Sequence, residues 1–194
     1  MTTDTLTTTI VPSTLTGDYT IDPTHSRIGF VARHAMVTKV RGSFNEFAGT
    51  GFLDLEDPSN TRLELTIQTA SIDTRNADRD AHLRSNDFFD MDTYPEIRFV
   101  STATDNVDVD HFRVTGDLTI KGVTKAVTVD FEYTGAAVDP YGNQRIGFEG
   151  STTVNRKDWG VSWNAALETG GVLVGEKVVL EFEVSAIRTP DATA

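Results

Sequence analysis

The chain has 194 residues, enough for one domain around a substantial core. Asp and Glu number 29 against 17 Lys and Arg, and a net charge of −12 argues against nucleic acid and anionic lipid surfaces as partners. The chain contains no cysteine, which removes disulfides, thiolate nucleophiles and cysteine-held metals, and a hydrophobic fraction of 38% suits half-buried strands.

The opening stretch MTTDTLTTTIVPSTLTG has no basic n-region and no apolar run of signal-peptide length. Nothing later approaches the roughly 20 apolar residues of a spanning helix, so a cytoplasmic protein with no transmembrane segment is expected. Residues 1–17 read as a flexible tail, 18–188 as the folded domain and 189–194 as a C-terminal tail.

From Tyr19, alternation sets Ser26, Ile28, Phe30, Ala32 and His34 on one strand face and Arg27, Gly29, Val31 and Arg33 on the other. Residues 37–56 continue with Val40, Gly42 and Phe44 in phase, and Gly42, Gly49 and Gly51 mark bends. After a turn at Asp57-Pro58-Ser59-Asn60, Leu63, Leu65, Ile67 and Thr69 alternate with Arg62, Glu64, Thr66 and Gln68. Residues 71–99 then break the strand period. Asn76 caps a short helix with Asp78 and Asp80 in its first turn and His82 and Arg84 in its last.

Ile97, Phe99, Ser101 and Ala103 form the next inward row, with Arg98, Val100, Thr102 and Thr104 outward. Phe112, Val114, Gly116, Leu118 and Ile120 follow, then a tight connection at 121–125 and the row Val127, Val129, Phe131 and Tyr133. A turn at 139–143 leads to Ile146, Phe148, Gly150, Thr152 and Val154, and residues 155–175 are mostly loop. The last strand turns Val178, Leu180, Phe182, Val184 and Ala186 inward.

The pattern is all-β: about eight antiparallel strands joined by short turns form an up-and-down barrel with a helical insert. Such a barrel either fills with side chains or holds one small ligand. Small inward residues (Ala32, Gly42, Ser101, Ala103, Gly116, Gly150) beside phenylalanines predict a cavity.

Several residues carry candidate chemistry. His82 with Asp78 and Asp80 shares a helix face, but no second histidine stands at ligand spacing and no metal site is expected. Asp87, Asp90 and Asp92 lack the glycine and terminal glutamate of a calcium loop. Asp22 and His25 could form a dyad with Ser26 nearby, yet such residues also brace turns, and no nucleophile elbow is present. His34, on the inward phase, is either a satisfied buried histidine or a ligand contact. The stretch 155–160, NRKDWG, is either a polar gate or a loop anchored by Trp159.

Five stretches carry a family resemblance: YTIDPTHSRIGF at 19–30; VRGSF at 40–44; the insert with Asn76, Arg79-Asp80, His82-Leu83 and Asp87-Phe88-Phe89-Asp90 through Tyr94-Pro95; GDLTIKGVTK at 116–125; and NRKDWG. In them the chain resembles the YceI-like proteins, lipocalin-like barrels associated with binding polyisoprenoid lipids, over about residues 19–187. Tyr19 stands where tryptophan is common in that family, and many members are exported. The resemblance implies an extended barrel holding an isoprenoid or isoprenoid-quinone lipid for carriage, storage or sequestration, without turnover and without a cofactor.

The residues expected to line the ligand are Ile28, Phe30, Ala32, His34, Phe44, Leu65, Ile67, Phe99, Phe112, Val114, Leu118, Val129, Phe131, Phe148, Leu180 and Phe182. Asn76, Arg79, His82, Leu83, Phe88 and Phe89 are expected to form a lid. Ala32→Trp or Gly116→Trp would then block uptake in a folded barrel. The acidic surface favours an uncharged head, with Arg79, Arg84, Arg156 and Lys157 paired to Asp78, Asp80, Asp87, Asp90 and Asp158. A homodimer would use loops or the outer face at Val31, Val100, Val179 and Ile187. Two readings from other classes stay open: a hydrolase or isomerase acting on an apolar substrate through Asp22, His25 and the insert carboxylates, and a barrel scaffold for protein binding.

Overall fold

In the computed structural model, which describes residues 15–190, strand alternation and turn chemistry produce eleven strand segments. These are β1 (Gly17–Ile21), β2 (Arg27–His34), β3 (Thr38–Phe44), β4 (Phe47–Leu53), β5 (Arg62–Gln68), β6 (Ile72–Asp73), β7 (Glu96–Asn106), β8 (His111–Ile120), β9 (Val123–Val138), β10 (Gln144–Asn155) and β11 (Val174–Arg188), with α1 (Ala77–Arg84) between β6 and β7. Every pairing is antiparallel, and the order β1-β4-β5-β7-β8-β9-β10-β11 returns to β1, closing an eight-stranded barrel. The closure leaves no edge in this ring, which is how such sheets avoid exposing unpaired backbone. Among the described residues no helix is long and apolar enough to cross a membrane.

Beyond the ring, β2 continues from β1 along β11, β3 pairs with β2, and β6 pairs with β3. The break between β1 and β2 is bridged by side chains. Ser26 Oγ accepts the Ser185 N–H at 2.9 Å and donates to the Ser185 carbonyl at 3.1 Å, standing in for ladder bonds. Ser26 is therefore a structural bridge across the kink.

Two rows depart from the simple alternation. In β7 the register runs Ser101↔Gly116 and then Ala103↔Thr115, so Thr102 is an extra residue, a β-bulge. Past it the phase inverts: Thr104 faces inward opposite Val114 and is buried, while Ala103, expected inward, is exposed. His34, also expected inward, is exposed. It ends β2 at a hairpin tip, where Ala35 and Met36 have φ of 50° and 60° and the Val37 N–H returns to the His34 carbonyl at 3.0 Å.

The stretch 1–17, expected as a flexible tail, includes residues that the structure places in the folded domain. Leu15 is buried and its carbonyl accepts the Tyr19 hydroxyl at 2.7 Å. Leu15 packs with Phe112, Tyr133, Ile146 and Ala186, and β1 has begun by Gly17. The remaining tail residues, 1–14 with Ile10 and Val11, and 191–194, lie outside the described residues. On the outer face Val100 is exposed, but Val31 is buried between its cross-strand neighbours Val179 and Arg41, so the expected outer apolar patch is smaller than the sequence suggested.

Candidate functional site

The barrel encloses a cavity of about 270 Å³ that runs from Leu83, Phe88 and Phe89 at the α1 end to Tyr19, Phe112 and Ile146 at the other. Every residue expected to line the ligand borders it except His34; of the six lid residues, Leu83, Phe88 and Phe89 do and Asn76, Arg79 and His82 do not.

The open space has a different origin from the one composition suggested. Small residues were expected to leave gaps beside the phenylalanines. Instead, ring atoms occupy the space where a side chain on each glycine would begin. A Cβ at Gly42 would sit 2.4 Å from Phe30 Cζ, at Gly116 2.4 Å from Phe99 Cζ, and at Gly150 2.5 Å from Phe131 Cδ1. Phe30↔Gly42 and Phe131↔Gly150 are direct cross-strand pairs. Part of each ring thus takes up space at the wall that a larger residue than glycine would fill, although all three rings still border the cavity. The same geometry rules out Gly116→Trp as a neutral cavity filler, because its Cβ would also meet the Val100 carbonyl at 2.6 Å.

The α1 end is pinned by charged side chains to backbone. Asn76 Oδ1 caps the helix, accepting the Arg79 N–H at 2.9 Å. Arg79 Nη2 donates to the Thr74 carbonyl, and Arg84 donates from Nε to Ala70 O and from Nη2 to Ile72 O, each at 2.8 Å. Buried Asp80 accepts the Thr74 N–H at 2.9 Å and its hydroxyl at 2.5 Å. His82 turns to Asp87 at 2.8 Å and packs edge-on against Phe88 and Trp163, away from Asp78 and Asp80.

Arg156 lies in the stretch 155–160, open to two readings, a polar gate or an anchored loop. It is buried, and it donates to the carbonyls of Gly175 at 2.9 Å, Val161 at 2.6 Å and Val174 at 3.3 Å, tying the 156–175 loop over the barrel end. Burial pushes its pKa below the ordinary arginine value. Trp159 donates Nε1–H to Leu118 O at 2.9 Å, the anchored-ring reading of that loop. Lys157 pairs with Glu176. The four cations near this end thus bond carbonyls or Glu176, and the expected pairings with Asp78, Asp80, Asp87, Asp90 and Asp158 are replaced.

The Asp22–His25 pair forms, with Oδ2 to Nδ1 at 2.7 Å, but neither residue borders the cavity. Asp22 also accepts from Thr24 and from Arg145 Nη1, the latter at 2.7 Å, and Arg145 Nε reaches Asp139 at 2.8 Å. The Thr24 bond, then Arg145 and His25, hold the Asp22 carboxyl well below the usual aspartate range. The set braces the β1–β2 kink against the β9–β10 turn. A separate surface group, exposed Asp108 and His111 with half-buried Asp110, brings carboxylates and a ring nitrogen together at the β7–β8 turn.

Sequence reasoning missed Thr104 as a wall residue. The signal that could have found it is the Ser-Thr-Ala-Thr run at 101–104, where no large side chain holds the phase.

A family model described as YceI-like domain matches residues 19–186. Over 170 residues the chain is 42% identical to a UPF0312 protein of Staphylococcus aureus, spanning 87% of this chain and 95% of that one. Among solved structures, BcnA of Burkholderia cenocepacia superposes with a TM-score of 0.75 at 25% identity, covering 85% of this chain and 98% of BcnA. A polyisoprenoid binding domain from Saccharophagus degradans shares the fold, with a TM-score of 0.65 at 15% identity over 88% of this chain and 98% of that domain.

Proposed function

From the premise that this chain belongs to the YceI-like family, we propose that it takes up one long isoprenoid-type lipid in its barrel and holds it without chemical turnover. The observation that carries this reading is the cavity itself, running between the two ends of the barrel with a wall made almost wholly of apolar side chains. Each buried methylene contributes about 0.8 kcal/mol, so about fifteen lipid carbons give roughly 12 kcal/mol before association costs, and no charged anchor is needed. The polyisoprenoid binding domain from Saccharophagus degradans supports the class of ligand. A neutral head, such as an alcohol or quinone, suits a wall whose bordering cations already bond backbone carbonyls. Leu83, Phe88 and Phe89 then cap the ligand at the α1 end. Against a hydrolase or isomerase stands the position of Asp22 and His25, off the cavity and engaged in the kink brace.

Native mass spectrometry of freshly purified protein tests the reading. The expected result is a stoichiometric non-covalent lipid, recovered unchanged after incubation. A lipid whose mass shifts during incubation would establish turnover; protein that neither carries a lipid nor takes one up would remove the carrier reading.

A further inference from the structure

Thr104 is 5% exposed and borders the cavity, and its Oγ1 is the one buried side-chain polar atom among the described residues with no hydrogen-bond partner. Burying a hydroxyl without a partner is costly, so native structures rarely keep one without a use. The other polar side chains at the cavity are occupied or turned away. Thr61 Oγ1 bonds the Asp54 backbone, Arg62 Nη1 donates to the carbonyls of Ser59 and Thr61, Arg156 holds three carbonyls, and Thr50 is exposed. The Thr102 bulge sets this arrangement, since an unbroken alternation would turn Ala103 inward and leave the wall apolar.

Thr104 lies two residues before the end of β7, opposite Val114, at the barrel end away from α1. A threonine hydroxyl is uncharged and can donate one hydrogen bond and accept others. It can satisfy a carbonyl, hydroxyl or amide, but a single neutral hydroxyl cannot offset the desolvation of a phosphate.

We propose that Thr104 is the specificity-determining contact for the bound lipid: it hydrogen-bonds one uncharged oxygen- or nitrogen-bearing head group, so the head lies at the Thr104 end and the tail runs toward α1. This rests on the lipid-binding reading above and adds to it the head-group class and the ligand's direction.

The test compares geranylgeraniol with the matching C20 hydrocarbon that lacks only the hydroxyl, on delipidated full-length protein. The wild type should prefer the alcohol by about tenfold. Thr104→Val replaces the hydroxyl by a methyl of the same shape and should erase that preference by weakening the alcohol alone, while Thr104→Ser should keep it. Intermolecular NOEs should place the carbinol protons near Val114 and the terminal methyls near Leu83. Equal weakening of both ligands in Thr104→Val, a preference that survives it, or carbinol NOEs to Leu83 would each overturn the assignment. Wild-type binding of both ligands without discrimination would overturn the Thr104 assignment alone, whereas failure to bind either would overturn the lipid-binding reading itself.

Discussion

Gly42→Ala adds one methyl group and should close part of the cavity. The new Cβ would lie 2.4 and 2.7 Å from Phe30 Cζ and Cε1, against a contact distance of about 3.5–4.0 Å for carbon pairs. The ring tip must therefore move by about 1 Å or more, and the free space beside it is the cavity. A smaller overlap, 2.9 Å to the Thr74 methyl, adds to the strain. Overpacking a tight core costs roughly 1–3 kcal/mol, and a ring that can swing into free space keeps the cost near the lower figure. The swung ring displaces about two ligand methylenes, or about 1.6 kcal/mol, a loss of affinity of roughly fifteenfold.

Gly116→Ala is the control. There the Cβ meets the Val100 carbonyl at 2.6 Å as well as Phe99, and relief requires moving the β7–β8 ladder. The cost falls on stability, about 3 kcal/mol. Urea unfolding of delipidated protein and geranylgeraniol affinity, measured on both variants, separate the two outcomes. The reasoning fails if Gly42→Ala binds like the wild type, or if adding Phe30→Ala to it restores no affinity.

Acid should weaken the β1–β2 kink first. Asp22 and Asp139 are lowered from the ordinary 3.8, so their ionised forms stabilise the fold above that pH, and the contribution is lost as pH falls below it toward the folded-state values. Asp22→Asn should therefore show a shallower loss of unfolding midpoint from pH 4 to 2 than the wild type, and equal slopes would refute the brace. Arg156→Lys cannot reach the three carbonyls of the 156–175 loop together and should cost about 2–3 kcal/mol, with lost hydrogen-exchange protection at Val161 and Gly175. Ala32→Trp, on a half-buried wall position, should lower lipid affinity more than tenfold while the unfolding free energy from urea titration stays within about 1 kcal/mol of the wild type.

Much of this architecture was legible because large apolar residues held the phase. The row Val178, Leu180, Phe182, Val184 and Ala186 borders the cavity as read, and α1 begins directly after Asn76 with its charges where the dipole favours them. Phase was lost where side chains are small. Across Ser101, Thr102, Ala103 and Thr104 a one-residue slip changes no hydrophobic contact that the sequence displays, so the run marks where phase can slip but not that it does, nor that Thr104 turns inward. The hairpin end at His34 was hidden for another reason: Ala35-Met36 adopts positive φ without the Asn-Gly signature such turns usually carry. Leu15 was hidden by its polar neighbours, since a lone leucine in a threonine-rich stretch has no periodicity to place it. Arg156 could be located on a loop but its three carbonyl partners could not, because they come from residues 5 to 19 positions further along the chain.

The glycines show where composition stops being informative and register takes over. Gly42, Gly116 and Gly150 are absent from the positive-φ positions, so backbone conformation does not require glycine there. What requires it is the ring across the ladder. The same phenylalanines set one residue out of register with these glycines would stand over side chains and turn toward the axis, and a barrel of this strand number would fill. Whether an eight-stranded barrel is a solid core or a container is thus decided by which residue faces each ring. In this chain the register decides for a container, and the one inverted row, at the Thr102 bulge, brings to its wall the one buried side-chain polar atom that has no partner among the described residues.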